Sequence, residues 1–454
     1  MRVNCRDYPR AYTAPVNTFG DRLSRYTPAL FACALLNLLL AQAGIAAGMT
    51  WPSQPLSAPG SLAVTHLFTL GWLTLLMLGA LFQFVPVITN RPLPSQRLVL
   101  VVLIMFEAGL AMMLAGFIGL AGPLGALLPP GAVLVLLAVV LALADLLPPL
   151  WRAAGRNLSA RCLLAGSAAL IVTAALGIGF ALALRVPALA AHLGPLLGGA
   201  LPAHLMAGLA GWLTLTAIGV SYKLIPMFLL APERRGVLGE GVFAAMSAGF
   251  ALSVAGAVGQ AIGHAAVWGH LENAGLALIA LAIVLYVVDM ARIYRSRRRR
   301  QLELHHRAAL AAFAALALLL PAMLLWRIGL RHAAPLLVVL ALTGWLSGLG
   351  LTQLYKIVPF LSWLVNYGRQ LGSAAVPRVQ DLVRERRAMP AFWLFFSSAA
   401  LQALGAALAR AGLFRGGAAL GLLATVLLGL EYWRSWTTHY ARHATRADAP
   451  VGQP

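Results

Sequence analysis

Gly71-Trp72-Leu73-Thr74 recurs twice in this chain, as Gly211-Trp212-Leu213-Thr214 and as Gly344-Trp345-Leu346-Ser347. In each copy a proline stands 15 positions after the glycine, and the second and third copies begin 140 and 133 positions after the copy before. Several matched positions at one spacing argue for an internal repeat rather than for chance. The sequence therefore predicts one structural unit that is used three times.

The composition indicates a membrane protein. Hydrophobic residues make up 61% of the 454 residues and charged residues only 10%, whereas about 25% of a soluble domain is charged. A helix needs roughly 20 apolar residues to cross the hydrocarbon core of a bilayer. Open sheets are excluded because their lipid-exposed edges would leave backbone groups unpaired. We therefore expect an all-α bundle whose main partner is the lipid bilayer.

Twelve apolar runs are long enough to be transmembrane helices. They lie at about 27–49, 62–88, 98–120, 130–150, 159–185, 199–230, 238–262, 269–293, 309–330, 334–365, 389–411 and 414–435. The three repeats fall on the second, sixth and tenth runs, so the predicted unit is four helices. We divide the membrane domain, 27–436, into units at about 27–150, 159–293 and 309–435, with polar tails at 1–26 and 437–454.

The arginines predict the orientation of these spans. When the connections are numbered alternately inside and outside from the N-terminus, 27 arginines fall inside and five fall outside. Basic loops stay in the cytoplasm, so both termini are predicted to be cytoplasmic, in a bacterial inner membrane. The net charge of +21 is thus a topology signal, and no nucleic-acid partner is expected.

Two of the repeated spans also resemble a known family. The segment that begins at His66 and ends at Val85-Pro86 is similar to the second helix of cbb-type oxidases and nitric oxide reductases, of the heme-copper oxidase superfamily. The segment from His204 to Pro226 resembles their sixth helix, where the family places a copper-ligating histidine. The resemblance implies three four-helix units, b-type heme, copper or both, and a partner that donates electrons or a respiratory subunit. It also makes the chain a possible oxidoreductase.

The sequence departs from that family in two helices. The tenth helix of the family carries a His-x-His pair, and the matching stretch here, 336–340, has no histidine. The seventh helix of the family ends in a histidine pair, and only His264 stands near that place. Respiratory or nitric-oxide-related turnover, sensing and cofactor assembly therefore remain open as roles.

His66 and His204 are the leading candidates for heme or metal ligands. Imidazole binds heme iron and copper well, but a histidine in a membrane helix can also be a hydrogen-bonded packing contact. His204 stands two positions further from its proline than His66 does, a rotation of about 200°, so Met206 takes the place that matches His66. His264 and His270 flank the connection between the seventh and eighth spans, where they could converge on one metal or form an ordinary interfacial cluster.

Charged side chains supply the remaining candidates. Arg327 and Arg331 are rare arginines on the outer side, which could pair with heme propionates or extend to the interface. Glu107 lies near the centre of the third span and is either part of a proton path or a hydrogen-bonded helix contact. Four histidines on the inner side are predicted to be solvated: His305, His306, His439 and His443.

Two functions from other classes remain open on this sequence. The first is a proton-coupled secondary transporter of a small solute or metal ion, which would use His66, His204 and Glu107. The second is a scaffold subunit in which the histidines only pack.

Overall fold

A computed structural model describes residues 20–437 except 96, 233–235, 264 and 369–375. Within these residues it contains twelve helices long and apolar enough to cross a membrane and no β-strand, which confirms the predicted all-α class and the number of spans. The twelve are α1 (Gly20–Ala46), α2 (Pro59–His66, Leu67–Thr74 and Leu75–Thr89), α3 (Leu98–Ile118), α4 (Leu128–Ala153), α5 (Leu158–Arg185), α6 (Pro187–Met206, Ala207–Thr214 and Leu215–Leu229), α7 (Val237–Ile262), α8 (Ala266–Arg295), α9 (Leu304–Arg327), α10 (Ala333–Val339, Leu340–Ser347 and Gly348–Tyr367), α11 (Glu385–Ala407) and α12 (Ala411–Thr437). The predicted tails lie outside the described residues, apart from the start of α1 and Thr437.

The helix boundaries follow local signals where the sequence provides them. Pro59 and Pro187 stand at the starts of α2 and α6, a position that suits proline because its missing N–H would have no partner there. Asn157 caps α5 by accepting a hydrogen bond from the Ala160 N–H at 3.1 Å. The helix α6 begins at Pro187, ahead of the predicted sixth span at about 199–230, and so includes His192.

The middle of each repeated helix is a π-helix. The three π segments, Leu67–Thr74, Ala207–Thr214 and Leu340–Ser347, are each eight residues long and occupy the same place in each repeat. A π segment leaves a carbonyl without its usual α-helical partner. In two repeats a side chain satisfies such a carbonyl, since Thr214 Oγ1 donates to Leu209 O and Ser347 Oγ donates to Leu342 O, both at 2.7 Å.

The repeated tryptophans meet near the centre of the bundle. Trp212 Nε1 donates to Thr74 Oγ1 at 3.0 Å, and Trp72 Nε1 donates to Ser347 Oγ at 2.8 Å. Trp72 and Trp212 therefore each reach the hydroxyl residue of another repeat. The third link is missing, because the buried Nε1 of Trp345 has no partner among the described residues. The hydrogen-bonded ring around the pseudo-threefold axis is open at one of its three joints.

Because Trp345 lacks a hydrogen-bond partner, we expect Trp→Phe to lower the stability by different amounts at the three repeated positions. Trp→Phe removes similar volume at each site, but only at Trp72 and Trp212 does it also break a buried hydrogen bond. At Trp345 it removes an unpaired buried donor. We expect Trp345→Phe to be less destabilising than Trp72→Phe or Trp212→Phe by about 1–3 kcal/mol, measured by unfolding of the three variants in one detergent. Equal losses in all three variants would contradict the open ring.

Candidate functional site

His66 ends the first α-helical segment of α2 and is half-buried. Its Nδ1 lies 2.8 Å from the carbonyl oxygen of Leu62, one turn earlier. Its ring stacks on Phe117 of α3, with 4.8 Å between ring centres. An Nδ1 that donates to a carbonyl fixes the tautomer in which Nε2 carries the lone pair. The Nε2 of His66 is then the atom able to bind a metal.

His204 is held in the same way from another helix. It lies in α6, is half-buried, and its Nδ1 is 3.0 Å from the carbonyl oxygen of Thr173 in α5. Phe180 contacts the ring edge-to-face at 5.5 Å. A Cβ on Gly177 would lie 3.3 Å from His204 Cε1, so the glycine lets the imidazole lie close against α5.

The two imidazoles are close enough to interact electrostatically. His66 contacts α3 and His204 contacts α5, each within its own predicted four-helix unit. The contacts of the two rings thus involve α2, α3, α5 and α6. The helix packing brings together two histidines that lie 138 positions apart in the sequence.

Arg185 is a basic residue beside this region that the sequence analysis did not single out. It ends α5, and its Nη1 donates to the carbonyl oxygen of Leu120 at 2.7 Å, three residues beyond Phe117. A Cβ on Gly125 would lie 2.9 Å from Arg185 Cζ. Its place at the end of a span was visible in the sequence, but its contact with the α3–α4 connection depends on tertiary packing.

Glu107 lies in α3 and forms a polar contact between three helices. Asn37 of α1 donates from Nδ2 to Glu107 Oε1 at 2.9 Å and to the carbonyl oxygen of Gly71 at 3.1 Å. That carbonyl belongs to the π segment of α2, and a Cβ on Gly71 would lie 2.8 Å from Asn37. The contact accounts for Glu107 as a link between helices, and a role in a proton path remains a prediction.

Of the two other predicted metal ligands, the structure describes only His270. His270 is exposed at the start of α8, and His264 lies outside the described residues. Nearby, Gln260 donates to Glu272 at 2.5 Å across the α7–α8 connection. Within the described part of the chain, no group of three or more His, Cys, Asp or Glu side chains could hold a metal ion.

The two outer arginines are exposed. Arg327 ends α9 and Arg331 follows in the turn before α10. The ring centre of the adjacent His332 lies 6.0 Å from that of Trp51 in the α1–α2 connection. The ring centres of Trp51 and of Phe414 in α12 are also 6.0 Å apart. His332 thus packs against the α1–α2 connection, and pairing of Arg327 or Arg331 with a propionate stays a prediction.

One expectation about the histidines was wrong. His305 and His306 were predicted to be solvated, but they lie in the first turn of α9 with exposed fractions of 1% and 0%. The helix begins five residues before the predicted span and buries both rings, which are 4.0 Å apart. His306 also lies 3.4 Å from the hydroxyl of Tyr294 in α8. His439 and His443 lie outside the described residues.

The comparison with solved structures gives the architecture. The chain is similar to a heme-copper terminal oxidase solved as a dimer by cryo-electron microscopy, with a TM-score of 0.52 and 12% identity over 93% of this chain and 85% of the other. The two chains share a fold. At that identity the similarity concerns the fold and not individual ligands. No protein-family model and no curated protein matches the chain.

Proposed function

We propose that the chain is an integral membrane protein that binds b-type heme, copper or both through His66 and His204. The observation that carries the proposal is the pair of half-buried imidazoles, each held by a backbone carbonyl at Nδ1 so that Nε2 is left for a ligand. The architecture shared with a heme-copper terminal oxidase supports the same cofactor class. The role that follows is respiratory or nitric-oxide-related redox chemistry, or handling of those cofactors.

The donor set favours heme over a bare metal ion. A protein-bound metal ion commonly takes three or more side-chain ligands, and the described residues offer no such group. Heme brings four nitrogens of its own and takes one or two axial ligands from the protein. Two histidines that are oriented through Nδ1 fit that requirement.

The residues of this chain have separate tasks in the proposed site. A heme would supply an iron centre that accepts and donates single electrons. Leu62 and Thr173 hold the two imidazoles with Nε2 free, and Phe117 and Phe180 fix the ring planes. Arg185 places a positive charge beside the site, suited to an anionic group of the cofactor. Glu107 remains a proposed proton carrier because it is a carboxylate within a membrane span.

The proposal predicts a visible spectrum that depends on both histidines. The chain, purified in mild detergent, should show a reduced-minus-oxidised band typical of b-type heme, with metal analysis on the same sample. We expect His66→Ala and His204→Ala each to lower the heme content at least tenfold, as roughly expected for loss of a ligand. His270→Ala is the matched control, because His270 is exposed and should leave the spectrum unchanged.

Two results would reject this function. A colourless, metal-free protein after growth with heme precursor and copper would favour the transporter alternative, which His66, His204 and Glu107 could serve by proton coupling. A normal spectrum in both histidine variants, with intact folding by size-exclusion chromatography, would place the cofactor elsewhere.

A further inference from the structure

A cavity of about 490 Å³ lies between the start of α9 and the last segment of α10, where the basic α8–α9 connection meets the α10–α11 connection. It is separate from the His66 and His204 region, which α2, α3, α5 and α6 form. Its polar lining consists chiefly of Arg299, Glu303, His305, Tyr355, Lys356 and Glu385. No proposed task of the histidine site uses these side chains.

The charges around the cavity leave a positive surplus. Glu303 pairs with Arg299, accepts a hydrogen bond from Lys356 Nζ at 2.6 Å and lies 3.4 Å from His305 Nδ1. Arg299 and Lys356 thus share one carboxylate. Glu385 adds no free negative charge, because it accepts from the Leu304 N–H and pairs with Arg307, both at 2.8 Å.

Two buried polar atoms of the lining residues also lack partners. His305 and Tyr355 are 1% and 4% exposed. The Nε2 of His305 and the hydroxyl of Tyr355 have no hydrogen-bond partner among the described residues. Buried polar groups are normally paired, and leaving them unpaired is costly. A ligand that supplies those hydrogen bonds together with a negative charge would complete the cluster.

We propose that this cavity binds a phosphate-bearing anion. A phosphate group offers several acceptor oxygens, which Arg299, Lys356 and the Tyr355 hydroxyl can contact together. The cavity also has apolar walls, including Leu302, Pro359 and Val383, which suit the carbon skeleton that carries the phosphate. The group can come from an anionic lipid or from a soluble phosphate compound. The inference does not depend on heme binding.

Two adjacent arginines of the α8–α9 connection provide a matched pair of variants. Arg299 lines the cavity, whereas Arg298 is exposed and does not line it. The purified, delipidated full chain would be titrated with phosphatidylglycerol in native mass spectrometry, with phosphatidylcholine as the neutral-headgroup control. Inorganic phosphate would be added in a parallel thermal-unfolding series. We expect Arg299→Gln to weaken binding about tenfold and Arg298→Gln to leave it unchanged.

Tyr355→Phe keeps the test valid if Arg299→Gln fails to fold. It removes only the unpaired hydroxyl, so the variant should fold and should bind the probe several-fold more weakly. Binding of phosphatidylglycerol alone would identify a lipid as the source, and a response to inorganic phosphate would identify a soluble compound. Equal weakening by the two arginine variants would mean diffuse attraction to basic residues and would overturn the proposal. Failure of the unsubstituted chain to bind either probe would also overturn it.

Discussion

Replacing Glu303 with glutamine should destabilise the protein by about 3 kcal/mol, because several basic groups depend on this one carboxylate. Removing one partner of a buried ion pair typically costs about 3–5 kcal/mol, since the other charge is left uncompensated. The side chains of Glu303 and Lys356 are 16% and 14% exposed, which places the expected loss near the lower end of that range. The measurement is the free energy of unfolding of the purified variant in detergent.

Glu240→Gln is the control for this substitution. Glu240 pairs with Arg161 at 2.5 Å, but the two side chains are 53% and 33% exposed. Exposed ion pairs contribute about 0–1 kcal/mol, so this change should have a small effect. If both variants lose the same stability, the cluster around Glu303 does not behave as a buried one.

Gly256→Leu should destabilise the protein by at least about 3 kcal/mol and lower the yield of folded protein. Gly256 lies where α7 crosses α8, and a Cβ on it would lie 2.5 Å from the backbone nitrogen of Glu272 and 2.7 Å from the carbonyl oxygen of Trp268. Overpacking usually costs about 1–3 kcal/mol and occasionally more. Here the obstacle is the backbone of the neighbouring helix, so the helices must separate.

The control is a leucine at an open glycine. Gly416 is an exposed residue of α12, and a Cβ on it would have no neighbour within 4 Å. Gly416→Leu should therefore leave stability within about 0.5 kcal/mol of the unsubstituted protein. Unfolding and size-exclusion profiles of the two variants test the difference. A stable Gly256→Leu variant would mean that the close crossing of α7 and α8 does not form.

The candidate site shows where prediction from the sequence stops. His66 and His204 were selected because they lie in spans that resemble ligand-bearing helices of a known family and because imidazole binds heme iron and copper well, and that reasoning needs only the sequence. Asn37 could have been noticed in the same way, as a polar residue within the first apolar run. The contacts of Arg185 and Thr173 could not, because they join positions that are distant in the sequence and close only after the helices pack.

The prediction that His305 and His306 are solvated failed for a related reason. Their position in an arginine-rich connection predicted solvent, since local composition cannot reveal that α9 begins early and packs its first turn against α8 and α10. The sequence also could not predict that His305 Nε2 and the Tyr355 hydroxyl lack hydrogen-bond partners among the described residues. Hydrogen-bond partners are a property of the folded arrangement.

The sequence by itself determined that this is a membrane protein, how many membrane-spanning helices it has and that one sequence motif occurs three times. Hydropathy is a sum over neighbouring residues, and a repeat is a match at fixed spacing, so neither depends on distant contacts. Only the tertiary structure decided that the repeated tryptophans link two of the three repeat pairs and leave the third open. It also decided which carbonyl of α5 holds His204 and that a basic connection lines a cavity, because these features arise from packing between helices that the sequence separates.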